Sequence, residues 1–275
     1  HQMYILHEVS SRQSPRVLLS DEVGLGKTIE ACLIMQRLRA VGKAERILIL
    51  VPESLVHQWF VELLRRFNLW FSIYDESRCR AAEQSSEGEN PFLDEQMVLC
   101  SVDFLANSEV RSYQAIEAEW DLVVVDEAHH LEWTQEKSSA EYDLVEALGE
   151  RSPGLFLLTA TPTQLGLEGH FARLRLLDPN RYGDFEAFEA ESEGFESVAR
   201  IAGKIVDETD LSSSDREALK AIFDKDLAGL EKRLADFENG KHGAKKVLLK
   251  ALLDEHGTGR VVFRNSRANM TGFPK

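Results

Sequence analysis

The sequence predicts an α/β fold: a parallel sheet with helices on both faces, followed by an α-helical appendage. Three observations lead there. Leu122-Val123-Val124-Val125 is a continuous apolar run of the kind buried on both faces of a parallel sheet. Strand-like and helix-like stretches alternate through residues 1–182. A glycine-rich segment, residues 21–28, lies between an apolar run and a helical pattern. The chain has 275 residues, 43% of them hydrophobic, enough for one large domain or a domain with an appendage.

Taken in order, the first strand is expected at 17–20, where Val17-Leu18-Leu19 is long enough to be buried. A helix follows from Thr28 to about residue 38, with Ile29, Leu33, Ile34 and Leu38 at helical spacing. Further strands are expected at 47–51, 71–74, 97–101, 122–126 and 155–159, with helices between most of them, including 54–67 and 138–150. Residues 81–90 are polar, end at Pro91 and read as a surface loop. From 183 to 258 strand signals fade, and 18 acids stand against 11 bases. Leu219, Ile222, Phe223 and then Leu227, Leu230, Leu234 recur at helical spacing, with a break expected between Gly240 and Gly243. This segment reads as an acidic helical appendage, and 259–275, with a strand-like Val261-Val262-Phe263, as a connector. The start at His1-Gln2 without a methionine and the uncapped ending suggest a piece of a longer protein.

Two motifs carry chemistry. In Asp21-Glu22-Val23-Gly24-Leu25-Gly26-Lys27-Thr28, a strand, a glycine-rich turn and a helix N-terminus direct backbone N–H groups at one point, where the helix dipole adds positive potential. Such a loop cradles phosphates. Lys27 is placed to reach them and Thr28 has the hydroxyl that holds Mg²⁺. The strict pattern has glycine at position 21, where this chain has Asp21; Gly24 supplies the freedom. The second motif, Asp126-Glu127-Ala128-His129, follows the apolar run, so its carboxylates face the ligand crevice outside the strand ends. Asp126 is expected to hold Mg²⁺ through water, and Glu127 to orient or deprotonate an attacking water. Together the motifs describe a site for a nucleoside triphosphate with Mg²⁺. A zinc site from Asp126, His129 and His130 is a poorer reading, because ligating histidines on one helix face sit four apart.

Composition narrows the remaining choices. There is no apolar run of about 18 residues and no secretory signal. Three cysteines, Cys32, Cys79 and Cys100, lack metal spacing and suit a reducing cytosol. A net charge of -15 argues against the surface as a whole binding nucleic acid, while Arg65-Arg66 and Arg173 with Arg175 are candidates for a local basic track.

The order of these motifs resembles the first RecA-like lobe of a Swi/Snf-type ATPase, within the second helicase superfamily. The resemblance covers residues 1–182: the glycine-rich motif, Ile49-Leu50-Val51-Pro52 through Gln58-Trp59, Cys100-Ser101-Val102-Asp103, the DEAH motif at 126–129, and Leu158-Thr159-Ala160-Thr161-Pro162. Stretches such as 63–69 and 170–181 resemble a bacterial branch of the family that associates with RNA polymerase.

The resemblance implies an ATP- and Mg²⁺-dependent motor that tracks along double-stranded DNA, without sequence readout, in the bacterial cytoplasm beside the nucleoid. Gln2 would contact adenine. Pro52, Ser54 and Ser101 would face the DNA backbone, and Thr159 and Thr161 would couple nucleotide state to the track. The family's motor needs a second lobe with charge-stabilising arginines, so residues 1–275 alone are expected to turn over slowly or not at all. Rival readings are a translocase of a restriction or repair system, and a non-catalytic polymerase-binding adaptor.

Overall fold

The structure is a computed structural model and describes residues 9, 14–20, 27–85, 89–160, 166–206, 211–223, 226–239, 241, 243–256 and 262–263. Contacts group the chain into two compact units: His1–Gly183 with Val261–Lys275, and Asp184–Arg260.

The first unit is built on seven parallel strands, β1 (Arg16–Leu19), β2 (Ile47–Val51), β3 (Ser72–Tyr74), β4 (Met97–Ser101), β5 (Leu122–Val125), β6 (Gly154–Leu158) and β7 (Val262–Phe263), in the order β3-β4-β2-β5-β6-β1-β7. Every expected strand is present, with ends shifted by at most one residue. The helices of this unit are α1 (Lys27–Ala40), α2 (Val56–Phe67), α3 (Glu76–Ser85), α4 (Val102–Ala106), α5 (Glu109–Ile116), α6 (Ala140–Arg151) and α7 (Gly166–Leu177).

Strand side chains alternate between two cores. Leu18, Leu48, Leu50, Val98, Cys100, Val123, Val125, Leu155 and Leu157 join the core that contains residues of α3 to α7. Val17, Leu19, Ile47, Ile49, Val51, Leu99, Leu122, Val124, Phe156 and Leu158 join the core beneath α1 and α2. Period-two geometry requires this split, and burial on both faces explains why β2 and β5 are apolar throughout. Each such Val, Leu or Ile is worth about 1.5–3 kcal/mol relative to exposure.

Arg16 ties the start of β1 to the ends of two helices. Its guanidinium donates to the carbonyls of Gly149 and Ser152 at the end of α6 (2.8 and 3.0 Å) and of Leu176 and Leu177 at the end of α7 (2.6 and 2.9 Å). Those carbonyls have no intrahelical partner, and the negative helix ends favour a cation. Gly149 leaves the space: a Cβ there would lie 3.2 Å from Arg16 Nη2. Burial lowers the pKa of Arg16, with Asp178 opposing.

Two sequence expectations need correction. Residues 81–85 are not loop but the second half of α3, while 86–88 lie outside the described residues. Asp75 Oδ1 accepts from Arg78 N and Ser77 Oγ at the helix start, Glu76 pairs with Arg80, and Arg111 of α5 bonds Glu76 and Glu83. The polar side chains stabilise a helix through these partners, which composition alone did not reveal. Arg173 is also no part of a basic track, because it is fully buried within α7, and burial lowers its pKa to about 10. Arg175 pairs with Glu146 and lies over the Trp133 ring, 5.6 Å from its centroid.

The second unit consists of α8 (Phe185–Val206), α9 (Ser213–Ile222), α10 (Leu227–Glu238) and α11 (Ala244–His256). Its core holds Ile201, Ile205, Leu219, Phe223, Leu230, Leu234, Leu248 and Leu252. Leu227, expected in the apolar stripe, is 45% exposed, because it opens α10 beside the capping Asp226. Buried Asp215 joins two elements: its Oδ2 accepts from Lys204 Nζ of α8 at 2.6 Å and from the Ser212 N–H at 2.9 Å, completing a capping box at α9.

Arg16→Ala should lower stability by about 2–4 kcal/mol by leaving several helix-end carbonyls without a donor, and Arg16→Lys should recover only part of it. Urea denaturation followed by circular dichroism checks this. For Asp215, its lysine and serine partners hold the folded-state pKa well below the ordinary value. Its contribution is therefore complete above about pH 4 and lost as pH falls through the folded pKa. Asp215→Ala should lower the thermal midpoint at neutral pH, and the gap from wild type should close as pH drops below about 4.

Candidate nucleotide site

Because the strands are parallel, all their C-terminal ends lie on one edge, and the first polar side chains after the apolar runs gather there. Along that edge stand Ser101, which closes β4, Asp126 after β5, Thr159 after β6 and Ser20 after β1, with the apolar Pro52 after β2. The ladder extends one step beyond the strands, since Asp126 N donates to Leu50 O at 2.9 Å and Thr159 N to Leu19 O at 3.0 Å.

Asp126 continues the alternation of Leu122 and Val124, which turns it toward the face carrying α1 and α2. Two donors meet it there. Trp59 Nε1 of α2 donates to Oδ2 at 2.7 Å, and the Glu127 backbone N–H donates to Oδ1 at 2.8 Å. Burial raises the Asp126 pKa; the two hydrogen bonds and the positive charge of Lys27 oppose that rise, while Glu127 adds to it. Lys27, first residue of α1, is thus within electrostatic reach of Asp126, and both Lys27 and Thr28 are partly accessible.

Glu127 adopts a left-handed backbone, with φ 50 and ψ 42. That conformation is uncommon for a residue with a Cβ; Asn68 and Glu119 share it in this chain. Glu127 starts the 3-10 turn Ala128–His130 and breaks the strand direction after Asp126. Glu127 Oε2 lies 3.0 Å from His129 Nδ1, without the alignment of a hydrogen bond. Burial lowers the His129 pKa, helped by His130, whose ring stacks on it with centroids 4.0 Å apart, and by Arg173; Glu127 and Asp126 oppose.

The structure brings Lys27, Thr28, Asp126 and Glu127 onto one edge with Thr159, which is fully buried. Gln2, the turn residues Asp21, Glu22, Val23, Gly24, Leu25 and Gly26, and Thr161 lie outside the described residues. Pro52 and exposed Ser54 frame the 3-10 turn Glu53–Leu55 before α2. Ser101 differs from expectation: it is buried, and its hydroxyl caps α4 by accepting from Phe104 N at 3.4 Å. Sequence reading placed Trp59 on a helix but gave it no role at the site, since its partner is 67 residues away and no local spacing reports the contact.

Thr28 and Asp126 are hard oxygen donors of the kind Mg²⁺ takes. A carboxylate whose burial favours its neutral form is the kind of group that a cation stabilises in its charged form. Among the described residues no helix is long and apolar enough to cross a membrane.

The SNF2-related domain family matches residues 2–225. The whole chain is 54% identical to the RNA polymerase-associated protein RapA of Vibrio campbellii over 287 residues, and 54% identical to RapA of Vibrio cholerae over 277. In each case the chain spans 28% of the relative's length. The SWI2/SNF2 ATPase core of Sulfolobus solfataricus, solved in complex with double-stranded DNA, superposes with a TM-score of 0.58 at 18% identity, covering 97% of this chain and 44% of that one. That core solved by itself also gives 0.58, over 99% of this chain and 45% of that one. The sheet therefore has the RecA-like fold of SWI2/SNF2 ATPase cores, and the chain belongs to the SNF2-related family.

Proposed function

We propose that this chain is the ATP-binding lobe of a DNA-translocating ATPase that acts on RNA polymerase, in its recycling or release during transcription. The observation that carries the reading is the meeting, on one sheet edge, of a lysine at a helix N-terminus with a buried carboxylate followed by a second one. That combination binds a triphosphate and handles a water beside it. Polymerase as partner, and hence the cytoplasm as location, is supported by the similarity to proteins named RNA polymerase-associated. Double-stranded DNA as track is supported by the similar SWI2/SNF2 ATPase core, which was solved in complex with it.

In this reading the turn 21–26 and the start of α1 cradle the phosphates with backbone N–H groups, and Lys27 supplies a positive charge against them. Thr28 and Asp126 would hold Mg²⁺, which when bound neutralises charge on the phosphate oxygens. Glu127 accepts the proton of the attacking water or orients it. Gln2 serves adenine, Pro52 and Ser54 the DNA backbone, and Thr159 with Thr161 the coupling between the two. Residues 183–258 form an appendage dispensable for nucleotide binding. An intact set of Lys27, Thr28, Asp126 and Glu127 favours an active motor over a relict adaptor.

DNA-stimulated phosphate release by the full-length protein tests the reading. Glu127→Gln should keep nucleotide affinity while lowering turnover by about 10²–10⁴-fold. Lys27→Ala should weaken binding itself, seen by calorimetric titration. Near wild-type hydrolysis in Glu127→Gln would remove the water-handling role.

A further inference from the structure

We propose that Trp59 is a positioning residue for Asp126, fixing the carboxylate in the orientation that serves the metal of the bound nucleotide. The proposal rests on the reading of Asp126 as a metal-holding group and goes beyond it by naming what aims that group.

The geometry is specific. Trp59 is 2% exposed, and its indole N–H points at Asp126 Oδ2, 2.7 Å away. The other oxygen, Oδ1, accepts from the Glu127 backbone N–H at 2.8 Å. A carboxylate with one donor can still rotate about its Cβ–Cγ bond. With a donor on each oxygen, one from α2 and one from the backbone directly after Asp126, that rotation is restrained. Each oxygen still keeps a lone pair for a water or an ion.

An indole is suited to this task. It donates and cannot accept, so it does not compete with the carboxylate for a cation. It carries no charge, so it leaves Asp126 its full negative charge for the metal, where a lysine or arginine would cancel it. It is also rigid and packed: Trp59 belongs to the core beneath α1 and α2, so the donor is held by its neighbours. Outer partners of this kind orient metal-holding carboxylates in other proteins.

The contact also links parts of the fold. Trp59 lies on α2, which starts just after the turn bearing Pro52 and Ser54, and Asp126 ends β5, whose ladder to β2 closes with Asp126 N on Leu50 O. A small shift of α2 against the sheet is therefore transmitted to the carboxylate.

The rival is a core tryptophan whose N–H merely needs a buried acceptor. The two readings separate in the full-length protein by titrating ADP with and without Mg²⁺. Trp59→Phe keeps most of the ring and removes the donor. It should weaken the Mg²⁺-dependent part of ADP affinity about 10-fold, and leave affinity without Mg²⁺ unchanged. In an Asp126→Asn background the same substitution should add almost nothing, because the two act as one unit. Trp59→His, which restores a ring N–H, should recover part of the loss. Unchanged Mg²⁺ dependence in Trp59→Phe, or an equal penalty in the Asp126→Asn background, would overturn the proposal. If Trp59→Phe does not fold, the wild-type protein with fluorinated tryptophan still decides: the Trp59 resonance should move when Mg²⁺ is added to the ADP complex, and a resonance that stays put overturns the proposal. A wild-type protein whose ADP affinity ignores Mg²⁺ altogether would instead defeat the metal reading of Asp126 itself.

Discussion

The constraint on which the rest of this structure depends is the burial of a parallel sheet on both faces. Inside such a sheet a polar side chain has neither water nor a spare backbone group to meet, so β2 and β5 are apolar from end to end. Polar chemistry is thereby displaced to the strand ends, and parallel pairing brings the C-terminal ends to the same edge. Ser20, Pro52, Ser101, Asp126 and Thr159 stand together there because each is the residue next to or closing a run that could not contain it. Pleat parity then does the finer sorting. A slip of one residue in β5 would send Asp126 to the opposite face, away from Lys27 and Trp59.

The same burial creates the electrostatic problem at the site. Asp126 is deep enough for its charge to be disfavoured, and three features offset this: an indole donor, a backbone donor and the charge of Lys27. Neutral donors hold the carboxylate without neutralising it. Arg16, at the other end of the sheet, is the reverse case. There a cation meets helix C-terminal carbonyls, and the charge serves the frame instead of a ligand. The two arrangements divide the unit into the edge proposed to take the nucleotide and an edge that anchors helices.

Much of this was legible in the sequence because the signals are local. The strands are short apolar runs, and the two motifs lie where a strand ends, so fold and candidate carboxylates follow from neighbouring residues. What escaped depends on distant partners. The second half of α3 looks like a polar loop until Arg111 is seen to bond Glu76 and Glu83. Arg173 looks like a surface base because charge suggests exposure, yet α7 is buried around most of its circumference. Ser101 has the chemistry of a phosphate ligand and spends it on the cap of α4. Trp59 stands out in sequence as the tryptophan that closes the motif running from Ile49, and its bond to Asp126 is visible only once α2 is laid on the sheet.

The second unit shows how an acid-rich segment can still fold. Its surplus of acids is compatible with helices because the apolar positions of α8 to α11 converge on one core, from Ile201 to Leu252, leaving the charged faces in solvent. Within it Asp215 is the exception, a buried acid whose charge is balanced by Lys204 and two bonds from Ser212. One carboxylate thereby secures the start of α9 and its attachment to α8. Among the described residues, Asp184, Glu186, Glu189, Glu217 and Glu231 are exposed and give the surface an acidic character that repels a phosphate backbone. A motor that must grip DNA gains nothing from such a surface as a track, so the burden of DNA contact in the proposed motor falls on groups at the sheet edge, where the Ser54 hydroxyl and the backbone N–H groups of the turn Glu53–Leu55 offer donors.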